Sequence, residues 1–465
     1  NIRNRFEGIE IYVPSAVVVA TDVFDKFLEM NNLESVALHP PADPELIRRF
    51  IEATHFPAET TSKLSDFLGI THEPLAVRSS SLLEDSQYLP FAGVYQTYMI
   101  PNNHPDHHVR LQQLLHTIKC VYASTFAKKA RDYMKATSYR LEEEKMAVII
   151  QRMVGAPHHG RFYPDFAGVG KSYNFYPVPP QKSMDGIVYV ALGLGKTIVD
   201  GGNTVRFCPK FPRHLMQFFS TKETLKNAQQ NFFALDLQSG LQTDGSTNPA
   251  DFVRLYDLNK AEEDQTLFHV GSTYSPEDDT VHDGVSRSGK RVVTFAPILK
   301  HKIFSLPEIL ELVLDMGQWG MGTPVEIEFA VNMNVEPGHP KEFAFLQIRP
   351  LVLSHELEEL DVENVNQEDL ICHSTQVLGN GATKDIHDIV VVDIHKFDRS
   401  KSREAAQEVS ALNSKLLTQK RPYVLIGVGR WGSLDHWLGI PVTWDQISGA
   451  AAIVESGFKD FNVTP

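Results

Sequence analysis

Residues 190–202 read VALGLGKTIVDGG, and the GKT inside that run poses the question on which the fold turns. A P-loop requires a further glycine five residues before the last one, so that a long arc of backbone N–H groups can wrap phosphates ahead of the lysine. Val190 occupies that position. Gly193 and Gly195 instead make a tight corner after the apolar run Ile187 to Leu192, the pattern of a strand ending in a loop. The segment therefore reads as part of a sheet-based fold without a P-loop, with a phosphate-facing loop of another kind left open.

Working outward, strands and helices alternate. The run Tyr12–Leu33 joins an extended apolar stretch to a helix with Val23, Phe24, Phe27 and Leu28 at helical spacing, and with Thr21 or Asp22 as its N-cap. A long helical region covers about 105–137, and MAVIIQRMV (146–154) reads as a buried strand. Residues 157–181, rich in Gly, Pro, Tyr and Phe, read as hairpins and loops. A helix at 220–233, a polar loop at 277–284 and a strand RVVTFAPIL (291–299) follow. Next come a helix at 305–320 with Ser305 as N-cap, and two strands, PVEIEFAVN (324–332) and EFAFLQIRPLVL (342–353). The charged stretch SHELEELDVENVNQED (354–369) marks a domain boundary. Beyond it DIVVVDIHKF, SREAAQEVSALNSKLL and YVLIGVG suggest a small α/β unit. The class is α+β (mixed α/β), and 465 residues suggest about three units: 1–154, 155–353 and 354–465.

Bulk properties narrow the function. With 44 Lys and Arg against 58 Asp and Glu, the formal charge of −14 argues against a general nucleic-acid or acidic-membrane surface. Cys120, Cys208 and Cys372 lie far apart with no CxxC spacing, which points to neither a disulfide framework nor a cysteine zinc site and fits a reducing, cytoplasmic setting. No apolar run reaches the ~20 residues of a membrane helix. A strand-like stretch begins almost at the first residue, Asn1, so upstream sequence is expected.

Two constellations carry chemistry. In PLAVRSSSLLEDSQYLPFAGVYQT (74–97) an apolar run delivers Arg78 into a Ser-rich turn. Its guanidinium suits phosphate oxygens, and Ala92 and Gly93 let backbone N–H groups approach a polyphosphate. The competing reading is a surface Arg paired with Glu84 or Asp85. In the strand pair, with Ile327, Phe329, Leu346 and Ile348 turned to the core, Glu326 and Glu328 share one face, as Gln347 and Arg349 share theirs. Glu328 and Gln347 can offer oxygens to Mg²⁺ and Arg349 can hold a phosphoryl group, the alternative being a cross-strand Glu–Arg pair on a solvated face. HPDHH (104–108) and His158 with His159 read as solvated histidines before metal ligands, and IGVGRWGSLDHWLGIP (426–441) as a packed turn.

The segments AVRSSSLLED…FAGVYQT, AVIIQRMV, LGLGKTIVDGG and VEIEF…FLQIRPL, in this order, resemble the ATP-binding domain of phosphoenolpyruvate synthase and pyruvate phosphate dikinase, over roughly residues 8–353. The same ATP-grasp-like, two-lobed module occurs in rifampin phosphotransferase and glucan water dikinase. The resemblance implies ATP and Mg²⁺ as cofactors and phosphoryl transfer as the activity. It implies that Arg78 contacts the ATP phosphates, that Gly93 and Thr97 belong to a phosphate-covering loop, and that Gln151, Met153 and Val154 line the adenine pocket. Glu328 and Gln347 match the magnesium ligands, Arg349 matches the arginine beside the transferring phosphoryl group, and Gly195 and Lys196 lie in the loop near the nucleotide cleft.

Departures from the family pattern bear on activity. Lys196 stands where the family usually has an acidic residue, and the SGVxFT-like segment after QRMV is only loosely matched by GRFYPDFAGVG. The Gly-rich, lysine-bearing N-terminal segment, a TSHxA phosphohistidine motif and a TIM barrel have no counterpart in these residues. A phosphohistidine domain on another chain or segment is thus the implied partner. A catalytically degenerate nucleotide-sensing or scaffolding domain is the alternative.

Overall fold

A computed structural model of the chain describes residues 5–81, 84, 95–134, 144–351, 370–372, 374, 383–433 and 438–457. It divides into two compact units, 1–353 and 354–465. The fold is a mixture of helices and mainly antiparallel sheets, that is, α+β.

The first unit holds two large hydrophobic cores. One gathers Phe24, Phe27, Phe50, Val77, Leu114, Ile118, Tyr122 and Ile150 around a four-stranded antiparallel sheet. The strand order of that sheet is Ala16–Val19, Ala147–Arg152, Leu75–Ser80, Thr97–Ile100. Its central helix, His107–Ser124, places Leu111, Leu114, Leu115, Ile118, Val121 and Tyr122 at three- and four-residue spacing on the core side. The Asp106 carboxylate caps that helix by accepting from the His108 N–H at 2.8 Å. The helical region breaks after Ser124 and resumes at Lys128–Met134. The earlier helix, Thr21–Met30, buries Phe24, Phe27 and Leu28; its N-cap is Ala20, so Thr21 and Asp22 fall inside the first turn instead of capping it.

The second core lies behind a six-stranded sheet of order Ile9–Tyr12, Lys341–Pro350, Val325–Asn332, Phe166–Lys171, Ile187–Leu192, Val205–Phe207. Only the first pair is parallel. Helix Leu306–Met321 covers one face, with Ile309, Leu310, Val313 and Leu314 buried against Ile327, Phe329 and Val188. Gly168 is required here because a Cβ at that position would overlap the Phe329 ring, which stacks on Phe343 at 5.1 Å. Two smaller sheets, Val253–Asp257/Asn231–Asp236/Arg161–Tyr163/Ala156–His158 and Thr280–Asp283/Gly271–Ser275/Lys290–Val293, complete the unit.

Several sequence expectations are corrected. The helix expected at 220–233 stops at Asn227, and Asn231–Asp236 is a strand, because Phe232, Ala234 and Leu235 bury themselves against both neighbours in a sheet. Within the expected hairpins and loops of 157–181, Phe166–Lys171 is an interior strand of the six-stranded sheet. The polar loop at 277–284 contributes strand Thr280–Asp283. The strand at 291–299 ends at Val293 and gives way to a helical turn, Ala296–Leu299.

The second unit has a parallel sheet of order Asp388–Val391, Tyr423–Val428, Ala450–Ser456, with helix Ser402–Thr418 packed on it through Ala406, Val409 and Leu416. Buried Asn413 ties the layers together, accepting from the Tyr423 hydroxyl and the Gly449 N–H, each at 2.9 Å. The glycine-rich turn is packed as its sequence suggests: Gly427 leaves room for the Trp431 ring, and Gly439 for the Arg430 backbone.

Candidate functional site

The strand pair Val325–Asn332 and Lys341–Pro350 generates the site through a change of register. Phe329 pairs with Phe345, but Glu328 pairs with Gln347 and Glu326 with Arg349, so Leu346 is an extra residue, a β-bulge. Without it Glu328 would face Leu346, and Gln347 and Arg349 would point into the core. The bulge reverses their parity. It also corrects the expected inward direction of Leu346, which packs on the site face with Tyr12 against Val154, Ala167, Ala330 and Ala344.

One face of the sheet consequently carries three rows. The innermost is four alanines closed by a tyrosine: Tyr12, Ala344, Ala330, Ala167 and Ala191 stand opposite one another across five strands. Two residues along the strand, about 7 Å away, lie Gln347, Glu328 and Val169. A further two residues on come Arg349, Glu326 and Lys171. On the strands of Arg349, Glu326 and Lys171 the surface thus grades from apolar to ionic over about 14 Å, while the next strand adds Tyr189 and Ile187 to the outer rows.

Ionic contacts tie the outer rows together. Arg349 donates from Nε to Glu326 Oε1 at 2.7 Å and from Nη2 to Glu328 Oε1 at 3.2 Å. Lys171 Nζ lies 3.0 Å from Glu326 Oε2. Arg78, from the four-stranded sheet of the first core, donates from Nη2 to Gln347 Oε1 and, at 3.4 Å, to Glu328 Oε2. All of these side chains are between 12% and 29% exposed where ion-paired, too sheltered for a solvated surface pair. Burial pushes the Glu326 carboxyl upward, but the Lys171 and Arg349 charges prevail and hold it below the ordinary value. Burial likewise works against the Arg349 charge, and Glu326 and Glu328 more than offset it, raising its pKa. Glu84 adds to the same field at Arg349.

Arg78 reaches this face because its strand alternates. Leu75, Val77 and Ser79 turn into the first core, while Arg78 turns outward. Thr97 is paired opposite Arg78 and is exposed; Gln151 stands opposite Ala76, one row along, and is buried. Met153 donates its N–H to Pro74 O at 2.9 Å, and its side chain touches both cores. Val154 sits on the alanine row. The chain then turns at Gly155, whose φ of 138° and close approach to the Tyr163 backbone exclude a side chain. Gly93 and the neighbouring Ala92 and Asp85 lie outside the described residues.

The loop at 193–200 is no phosphate cradle of the P-loop kind. Leu194 N–H bonds Phe233 O, and the N–H groups of Thr197, Ile198 and Val199 bond carbonyls within a short turn. Gly195 opens that turn beside Ala167. Lys196 projects outward, 3.0 Å from Asp200 Oδ2 and 5.4 Å from the centre of the Phe233 ring.

Neither Lys171 nor the part Glu326 plays in this cluster stands out in the sequence. The available signal was the alternation Ala167, Val169, Lys171 in FAGVGK, obscured by its glycine-rich surroundings. Among the described residues no group of three or more His, Cys, Asp or Glu is arranged to hold a metal. His107 instead hydrogen-bonds Ser65 at 2.9 Å, and His159 pairs with Asp264 at 2.9 Å. No helix among the described residues is long and apolar enough to cross a membrane.

Residues 1–369 match the model of the pyruvate phosphate dikinase AMP/ATP-binding domain. The chain is 24% identical over 338 residues to a phosphoenolpyruvate synthase of Aeropyrum pernix, covering 72% of this chain and 35% of that protein. It is 26% identical over 195 residues to an uncharacterized phosphotransferase of Bacillus subtilis, 41% and 20% of the respective chains. It is 27% identical over 212 residues to a rifampicin phosphotransferase of Streptomyces sviceus, 43% and 22%. The chain thus spans about a third or less of the length of these relatives. With a matching model that extends over most of its length and includes every strand of the three-row face, this chain belongs to the pyruvate phosphate dikinase AMP/ATP-binding domain family.

Proposed function

We propose that the unit 1–353 is an ATP-grasp-like module that binds Mg·ATP between two lobes, 1–154 and 155–353, with strand Ile9–Tyr12 of the first span joining the sheet of the second, and serves phosphoryl transfer. One observation carries the reading: Arg78 meets Glu328 and Gln347 across two sheets and some 250 residues of sequence. A cation, a carboxylate and an amide oxygen converge there beside a flat apolar row. Adenine would lie on the alanine row, bounded by Val154, Met153 and Gly195, with Gln151 at its polar edge. The triphosphate would then run toward Glu328 and Arg349, with Arg78 as a fixed cation and Thr97 and Gly93 in the covering segment. Lys196 would stand at the rim.

The donor set fits magnesium. Glu328 and Gln347 present hard oxygens in register, and Mg²⁺ usually takes one or two carboxylates together with phosphates and water, so a protein-only cage is not needed. When bound, the metal supplies charge neutralisation along the triphosphate. Arg349, aimed by Glu326, holds the transferring phosphoryl group and offsets charge that develops on it, while the two sheets fix its direction. The acceptor would be a histidine on a domain outside this chain, and ultimately pyruvate. Residues 354–465 form an accessory α/β unit, and the free cysteines suit a cytoplasmic location.

A nucleotide sensor that binds ATP without transferring phosphate is the second reading, favoured by Lys196 pairing with Asp200 at the rim. Thermal unfolding with Mg·ATP, AMP and GTP tests the first step. Mg·ATP at 100 times its Kd should stabilise the fold by about 2.7 kcal/mol, and Glu328→Ala should abolish the shift. An unshifted parent protein would refute the nucleotide reading; a shift without ATP turnover in the presence of a phosphohistidine domain would favour the sensor.

A further inference from the structure

We propose that Lys171 is a ligand for the terminal phosphate of the nucleotide and that its contact with Glu326 is the resting position of a movable cation. The inference rests on the nucleotide reading of the site. Lys171 ends its strand on the site face, in the row farthest from the alanines, about 14 Å along the strands. A nucleotide with its base on the alanine row points its phosphate chain toward that row, so the last phosphate comes nearest to Lys171.

Glu326 is held twice, and this makes the lysine available. Its Oε1 accepts from Arg349 Nε, and its Oε2 faces Lys171 Nζ. If the lysine swings away, Glu326 keeps its Arg349 partner and no carboxylate is stranded. Arg349 cannot leave as cheaply, since it serves Glu326 and Glu328 together. Lysine is also well suited to such an exchange, being a compact charge on a flexible stem, with three donors free to rotate from a carboxylate to phosphate oxygens. The backbone at this point is pinned independently, because Ser172 N–H bonds Val325 O and Val325 N–H bonds the Ser172 hydroxyl, each at 2.9 Å. The side chain can therefore move without the strand.

Calorimetric titration of the whole chain with Mg·ATP, Mg·ADP and AMP, for the parent protein, Lys171→Met and Lys171→Arg, tests this. Lys171→Met should weaken Mg·ATP about tenfold, Mg·ADP by clearly less, and AMP not at all, with Lys171→Arg restoring most of the loss. An equal loss for all three nucleotides, or none for any, would overturn the assignment and leave Lys171 a static partner of Glu326. A parent protein that binds none of them refutes the nucleotide reading and this inference with it; selective failure of the Lys171→Met prediction refutes only the latter. Should Lys171→Met not fold, Lys171→Gln answers the same question.

Discussion

Two ion clusters in the first unit have similar ingredients and opposite construction. Around Asp264, Arg161 binds both carboxylate oxygens at 2.6 and 3.0 Å, Tyr163 donates at 2.7 Å, and His159 approaches at 2.9 Å. The carboxylate is fully buried and every lone pair is engaged by neighbours on adjacent elements. Around Glu326 and Glu328 the partners come from two different sheets, the side chains stay partly exposed, and the two carboxylates share Arg349 while Lys171 serves Glu326 and Arg78 serves Glu328. A closed cluster of the first kind holds one geometry. An open, shared cluster can exchange partners, which is what the proposed binding of a polyanion and its metal requires.

The largest expected effect attacks the closed cluster. Asp264→Ala strands the buried Arg161 charge and leaves the Tyr163 hydroxyl with Thr266 alone, and should cost about 3–5 kcal/mol in urea unfolding, with Mg·ATP affinity of the folded protein unchanged. A loss below about 1 kcal/mol, or a matching fall in affinity, would erase the contrast between the clusters.

Acid should act on both. Burial pushes the Asp264 carboxyl up, but the bonds from Arg161, His159 and Tyr163 hold it below its ordinary 3.8. Its folded pKa is thus lower than its unfolded one, and its contribution is present above the unfolded value and fades as pH falls through the folded one. Glu326, depressed from 4.5, has the same sign. Stability measured from neutral pH downward should decline below about 4.5, and Asp264→Asn should flatten the lower part of that decline. A profile that Asp264→Asn leaves unaltered would mean that the closed cluster contributes nothing to acid sensitivity.

The smallest effect belongs to the rim. Lys196, half exposed and paired with Asp200, should change Mg·ATP affinity by no more than about fivefold on replacement by Ala, against a far larger loss for Arg78→Ala. Direct titration of the two variants side by side checks the order, and a reversed order would move the phosphate end toward the 193–200 loop.

The local pieces of this protein are legible in its residues taken in order. Period-2 alternation in Leu75–Ser80 and Val325–Asn332 is enough to separate core-facing from site-facing residues, and the order of four segments is enough to suggest the family. Even the bulge left a trace, since Phe343, Phe345 and Ile348 cannot all share one face of a regular strand. Which pieces meet is set by the folded chain. Alternation specifies a face but no partner, so the meeting of Arg78 with Gln347 and Glu328, the alanine row assembled from separate strands, and the place of Lys171 beside Glu326 had no local signal. In Asn231–Asp236 the sheet also overrode the helical reading, because pairing on both edges buried Phe232, Ala234 and Leu235. Neighbours distant in sequence supply the ion pairs that join Arg78 to Glu328 and Lys171 to Glu326, and these contacts gather separate strands into one candidate site.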